Sequence, residues 1–273
     1  MMETGRLTVE GIRRGLGEYA DTPVFLYDEI DSTNSQAKRY AAEAAGEAGG
    51  APCPALLVAR RQTAGRGRLG RSFFSPPYSG LYMTLLWCND GSLDQAVAVT
   101  GAAAVATARA IAAVSGVEVG IKWVNDLYLR ERKLCGILAE STTPRPGETY
   151  IAVGIGINLT TAAFPADLRA PAISLSEVLP PDTPIDPSRL CGRIAGDLLS
   201  LLDRRALTAL ETLDDYRRRL ILHGRRVIAT RGDETWEGVV RGVDDAYGLL
   251  LDTPSGLLTL HSGEVSLRLS QHS

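Results

Sequence analysis

The chain has 273 residues, enough to bury a sizeable core as one large domain or as a domain with a small companion. Its 45% hydrophobic and 22% charged content are ordinary globular values. A formal net charge of −3 argues against a nucleic-acid surface spread over the whole molecule, though not against a local basic site.

Residues 1–17 are polar, with no apolar run, so they are not a secretory signal. "VFLYDEI" (24–30) reads as a strand, and "DSTNSQAKRYAAEAAGEAG" (31–49) as a helix ending in glycines, with Thr33 and Gln36 in capping-box spacing. Leu56–Ala59 is a short apolar strand leading into "QTAGRGRLGRSFFSP" (62–76). "LYMTLLW" (81–87) is a buried strand. The soft stretch from Gln95 to Gly116, rich in Ala, Val and Thr and carrying Arg109, reads as an internal helix rather than a membrane span.

"VEVGIKW", "LYL", "LCGILAES" and "YIAVGIGINL" follow as strands joined by charged or Pro/Gly-bearing turns. Pro165–Pro187 is proline-rich and irregular; helices follow over Pro187–Asp203 and Ala206–Leu222. From about Leu222 the chain becomes five short strands with tight turns. The fold class is therefore α+β: a mixed sheet flanked by helices over 1–222, then a small all-β barrel over 223–273.

Cys53, Cys88, Cys135 and Cys191 are scattered, with no C-x-x-C pair, and read as buried reduced thiols; the default location is the cytoplasm. All three histidines, His223, His261 and His272, fall in the last fifth of the chain. A Ser-His-Asp triad or histidine-rich metal site in the first two hundred residues is excluded. Chemistry there must run on lysine, arginine, carboxylates and backbone amides.

Three stretches could carry it. In "GRGRLGR" (65–71), Arg66, Arg68 and Arg71 alternate with Gly65, Gly67 and Gly70, just after Arg60 and Arg61. Like charges repel and glycine raises the entropy of ordering. The pattern therefore predicts a loop that is mobile when empty and orders over an anion, its N–H groups forming a nest. It is not a standard phosphate-binding P-loop, and it reads equally as a solvated turn. In "KWVNDLYLRERKLCGILAE" (122–140), Lys133 enters an apolar strand in one hairpin with Lys122, Asn125 and Asp126, while Gly136 leaves room for a ligand. A solvated lysine and an Asn-Asp turn are the plain alternatives. In "GIGIN" (154–158), Gly154 and Gly156 bare one strand face for a flat ligand or for a packed helix. More weakly, Ser32 and Thr33 at a helix N-terminus could cap it or meet a ligand.

In this order, "DSTN", "GRGRLGRSFFSP", "KWVNDLYLRERKLCGILAE" and "GIGIN" resemble the biotin protein ligases, from about residue 24 to "SGEVSLRL". Two departures stand out: Val124 replaces a usual proline, and Phe73 stands where a tryptophan is common. The resemblance implies the ligase catalytic fold with an SH3-like C-terminal barrel. It implies two steps: biotin and Mg-ATP give biotinyl-5′-AMP, and a lysine of a biotin carboxyl carrier domain of a biotin-dependent carboxylase takes the biotinyl group.

By that resemblance Lys133 is the catalytic cation, near the biotin carboxyl and the α-phosphate, with Arg68 beside it. Ser32, Thr33 and Gln62 meet the ureido ring of biotin, Asn34, Gly65, Arg66, Gly67 and Arg68 also belong to the biotin site, and Gly136, Gly154 and Gly156 line the cleft. Arg66, Arg68, Arg71, Lys122, Asn125, Asp126 and Asn158 fall on the ATP side, with Asp126 toward Mg²⁺. About thirty residues precede "DSTN", too few for the winged helix of repressor members, so no specific DNA binding is expected. Monomer and homodimer both stay open. The rivals are a lipoate ligase or octanoyl transferase, whose R-R-x-S-G-G-G stretch is missing, an inactive biotin binder, which the intact Lys133 opposes, and a nucleic-acid binder using the basic loop.

Overall fold

The computed structural model describes residues 6–44, 53–89, 96–161, 163–168, 170–261 and 266–269. A seven-stranded sheet carries the first part of the chain, in the order β1-β2-β3-β7-β6-β5-β4. Its strands are β1 (Val24–Tyr27), β2 (Ala55–Ala59), β3 (Gly80–Asn89), β4 (Gly120–Lys122), β5 (Asp126–Leu129), β6 (Arg132–Arg145) and β7 (Glu148–Asn158). Only β1 and β2 run parallel; the other neighbours are antiparallel. Arg130 and Glu131, both at positive φ, make the tight β5–β6 turn, the twist that two-residue hairpins favour.

Helix α2 (Thr33–Ala44) covers one face through a small cluster of Ala37, Ala41, Leu57, Leu86, Tyr150 and Ala152. The other face carries the main core, built by α1 (Val9–Leu16), α3 (Ala96–Ser115) and α4 (Pro187–Asp203). Val97–Ser115 is long and apolar enough to cross a membrane, but here it is the core helix, with Val99, Ala103, Ala106 and Ile111 fully buried. Helices α1 and α4 cross at glycines. A side chain on Gly192 would overlap the carbonyl of Ile12 and the backbone of Gly15, and one on Gly196 would stand 2.8 Å from the carbonyl of Leu16.

Helix α5 (Leu210–Arg219) is tied to the core by a carboxylate. Asp215, its side chain 7% exposed, accepts from Arg109 Nε at 2.6 Å, Arg219 Nε at 3.1 Å and Arg218 Nη2 at 3.2 Å. Burial pushes its carboxyl up, but the Arg109 and Arg218 hydrogen bonds and the Arg219 charge outweigh it and hold the group below its ordinary value. A carboxyl depressed in the folded state stabilises above its unfolded pKa and loses that contribution as pH falls through the folded value. Asp215→Asn is therefore expected to cost about 3 kcal/mol at pH 7. In urea titrations the gap to wild type should narrow below about pH 4.

The C-terminal part is an antiparallel sheet in the order β11-β10-β9-β8-β12, from β8 (Arg226–Arg231), β9 (Glu234–Val243), β10 (Leu249–Thr253), β11 (Gly256–Leu260) and β12 (Ser266–Leu269). These are the five expected strands; among the described residues no pairing joins β11 to β12 to close a barrel. The sheet is wired to the first part. Trp123 Nε1 donates to the Tyr247 carbonyl at 2.7 Å, and Tyr247 packs edge-on against Tyr216 at 5.0 Å between centroids. Tyr216 donates to the Val124 carbonyl at 3.3 Å.

Other expectations are corrected. The first strand stops at Tyr27 rather than Ile30, and the last helix spans Leu210–Arg219 rather than Ala206–Leu222. Cys135 and Cys191 are buried, but Cys53 is half-buried and Cys88 exposed. The glycine-rich end assigned to α2, the Gln95 start of α3 and His272 lie outside the described residues.

Candidate active site

A cleft of about 1030 Å³ opens beside the β4–β5–β6 hairpins. It gathers every residue that the family resemblance assigned to the site except Gly65, where a Cβ would strike the Phe73 carbonyl.

One end is a polar chain. Gln62 Oε1 accepts from the Thr33 amide at 2.8 Å and from its hydroxyl at 3.1 Å, while Gln62 Nε2 donates to Ser75 Oγ at 3.0 Å. The fully buried Thr84 hydroxyl lies 2.8 Å from the Thr33 hydroxyl and 2.7 Å from Asn34 Oδ1. Thr33 is thus not the helix cap. Ser32 takes that place: its carbonyl accepts from Gln36 N at 2.9 Å and its Oγ from Ser35 N at 3.4 Å.

Two side chains cover the glycine face of β7. A side chain on Gly154 would overlap Asn34 of α2, so a helix packs there. One on Gly156 would meet the Phe73 ring at 2.6 Å, so there an aromatic that follows the arginine loop packs against the strand. The room above Gly136 is taken by Lys133 Nζ at 3.2 Å and by Phe73 at 3.3 Å.

The other end is cationic. Lys133 Nζ lies 2.8 Å from Asp126 Oδ1, both side chains about a quarter exposed. Arg68 Nη1 donates to Asn125 Oδ1 at 3.0 Å, and Asn125 Nδ2 donates to the Ile137 carbonyl at 2.9 Å, which locks the loop to β6. Lys122 sits over the Tyr128 ring at 5.2 Å. Burial lowers its pKa, with Asp126 pulling the other way. Burial likewise lowers Arg68, a guanidinium that stays charged. Arg66 pairs with Glu140 at 2.8 Å, whereas Arg60 and Arg61 turn away to Asp28 and Glu29, both at 2.6 Å.

Two contributors escaped the sequence reading. Pro171–Ile173 runs past Lys133, whose amide donates to the Pro171 carbonyl at 2.8 Å and whose carbonyl accepts from Ile173 at 3.0 Å. Asn158 Nδ2 holds the same segment, donating to the Ile173 carbonyl at 3.2 Å. Glu140 is the second. It joins Arg66, Lys38 Nζ at 2.9 Å and Asn34 Nδ2 at 3.0 Å. Burial pushes its carboxyl up, yet the bonds from Lys38 and Asn34 and the charges of Lys38 and Arg66 leave it below the ordinary value. Its only sequence signal is a carboxylate at the end of an apolar strand.

Residues 30–158 match the Biotin/lipoate A/B protein ligase family and 222–268 the Biotin protein ligase C terminal domain. A Bifunctional ligase/repressor BirA from Bacillus spizizenii is 32% identical, over 96% of this chain and 80% of its own length. The chain belongs to the biotin protein ligase family. A family member from Paracoccus denitrificans, a biotin–[acetyl-CoA-carboxylase] ligase, is 31% identical over 86% of this chain and 96% of its own. Among solved ligases, the Aquifex aeolicus biotin protein ligase in complex with biotin and ATP superposes with a TM-score of 0.72 at 26% identity, covering 91% of this chain and 99% of that one.

Proposed function

We propose that this ligase joins biotin to ATP, giving biotinyl-5′-AMP and pyrophosphate, and then passes the biotinyl group to a lysine of a biotin carboxyl carrier domain. Residues 1–222 would be the catalytic unit, 223–273 the small unit, and the cytoplasm its place of work. The observation that carries the reading is Lys133, held 2.8 Å from Asp126 in a cleft that Lys122, Arg66, Arg68 and Arg71 also enter. Biotin's carboxylate oxygen attacks the α-phosphorus and pyrophosphate leaves; the acceptor amine then attacks the acyl carbon and AMP leaves. No protein nucleophile is required.

The barrier is repulsion between two anions, about 4 kcal/mol for unit charges at about 4 Å and an effective dielectric of 20. Lys133 offsets it between carboxylate and phosphate. The Thr33–Gln62–Asn34 end suits a ligand with amide-like donors and acceptors, and Phe73 over Gly156 suits its apolar ring. Mg²⁺ neutralises phosphate charge when bound. It takes one or two carboxylates together with substrate phosphates, so Asp126 fits as its protein ligand.

The test combines the full chain with Mg-ATP, biotin and a carrier domain. AMP release and a biotinyl mass gain on one carrier lysine are expected; preference for lipoate or octanoate overturns the reading. The arginine loop is the proposed lid that keeps the mixed anhydride from water. Arg68→Gly removes the bond to Asn125, so adenylate should still form but escape several-fold faster and label lysines of unrelated proteins. Filter-binding release assays beside wild type check this; equal release rules the lid out.

A further inference from the structure

Strand β2 pairs with β3 from Ala55↔Leu86 to Ala59↔Tyr82. Cys53 stands two residues before β2, where the chain bends at Pro54, and Cys88 lies two residues beyond Leu86 on β3. Cys53 packs against the cluster beneath helix α2, and its Sγ lies 3.7 Å from the Leu86 carbonyl oxygen. The two thiols are close enough for each to shift the other's ionisation.

We propose that Cys53 and Cys88 form a thiol pair that hydroperoxides oxidise to a disulfide across β2 and β3. Cys88 is exposed and makes the attack; Cys53 is half-buried and resolves it. The Cys88 sulfur attacks the peroxide O–O bond, becoming a sulfenic acid and releasing water or an alcohol. The Cys53 sulfur then attacks the sulfenic sulfur, the S–S bond forms, and the hydroxyl leaves as water with the Cys53 proton. Two electrons pass from the thiols to one peroxide.

The nearby Cys53 holds the Cys88 thiol below its ordinary value, against burial and the nearby Glu148 carboxylate. Cys88, with burial, raises Cys53. A lowered thiol on an exposed strand is the nucleophile such chemistry needs. Cys135 and Cys191 are fully buried, and burial pushes both up, so they stay out of reach. The ring closed by the new bond contains the whole arginine loop. Its staple lies at the far end of the sheet from the cleft: Cys88 pairs with Tyr150, whereas Gly80 pairs with Asn158 at the cleft end.

The test exposes the full chain to hydrogen peroxide, alkylates the remaining thiols and maps peptides by mass spectrometry. A 53–88 cross-linked peptide is expected, with the loss of two hydrogens in mass, Cys135 and Cys191 still alkylated, and reversal by dithiothreitol. In Cys53→Ser, dimedone should trap Cys88 as the sulfenic acid; in Cys88→Ser, Cys53 should stay alkylatable. The oxidised chain should melt at a higher temperature than the reduced one. Over-oxidation of Cys88 beside a free Cys53, dimers linked through Cys88, or four alkylatable thiols after treatment would each overturn the proposal.

Discussion

Lys133→Ala is expected to slow biotinyl-adenylate formation at least a hundredfold while the fold stays intact. The backbone of residue 133 is fixed by its own bonds to Pro171 and Ile173, which truncation of the side chain leaves in place. What disappears is the cation in contact with Asp126, so that carboxylate adds to the negative charge the reaction must bring together. A loss of about 2.7 kcal/mol at the transition state corresponds to a hundredfold in rate. Lys133→Arg should also be poor, because the room above Gly136 holds a compact ammonium and a planar fork is wider. Single-turnover pyrophosphate release decides the matter. Rates within a few-fold of wild type for Lys133→Ala would return Lys133 to a solvated turn residue.

Gly192→Val should destabilise the chain even more than loss of the Asp215 carboxylate. The new side chain would collide with backbone of α1 at Ile12 and Gly15, where no rotamer provides relief. The helices must part, exposing Ile12 and Leu16, which are essentially fully buried. Two aliphatic side chains at about 1.5–3 kcal/mol each put the loss on the order of 4 kcal/mol. Thermal unfolding should shift down by roughly 10 °C, with early proteolysis within residues 1–20. A shift within a degree or two of wild type would mean that α1 and α4 are not held by close glycine contact.

Much of the fold was legible because apolar runs ended at residues with turn chemistry. "LYL" and "LCGIL" with Arg130–Glu131 between them read as a hairpin, and a hairpin already brings Asp126 near Lys133. Alternating glycines announced a bare strand face but could not say what covers it. The answer, Asn34 on one glycine and Phe73 on the next, depends on tertiary packing. Local spacing also misplaced the helix start. Thr33 and Gln36 fit a capping box, yet the Thr33 hydroxyl finds Thr84 and Gln62, and the cap passes to Ser32. Pro171–Ile173 read only as part of an irregular proline-rich stretch, because a segment that bonds Lys133 through its backbone needs no particular side chains. The nearness of Cys53 and Cys88 is a matter of tertiary packing, which cysteine spacing does not encode.

The hydrogen bond from Trp123 to Tyr247 ties the small C-terminal unit to a residue that lines the cleft. Trp123 belongs to the same turn as Lys122 and Asn125, and Tyr216 closes that turn from beneath through Val124. Local opening of the sheet would strip the indole N–H of its acceptor and loosen the floor on which the cations stand. By linkage, a ligand present at a hundred times its dissociation constant adds about 2.7 kcal/mol to the unfolding free energy of whatever must unfold with its site. Residues 226–260, which line almost none of the cleft, should therefore exchange their amide protons more slowly when it is full.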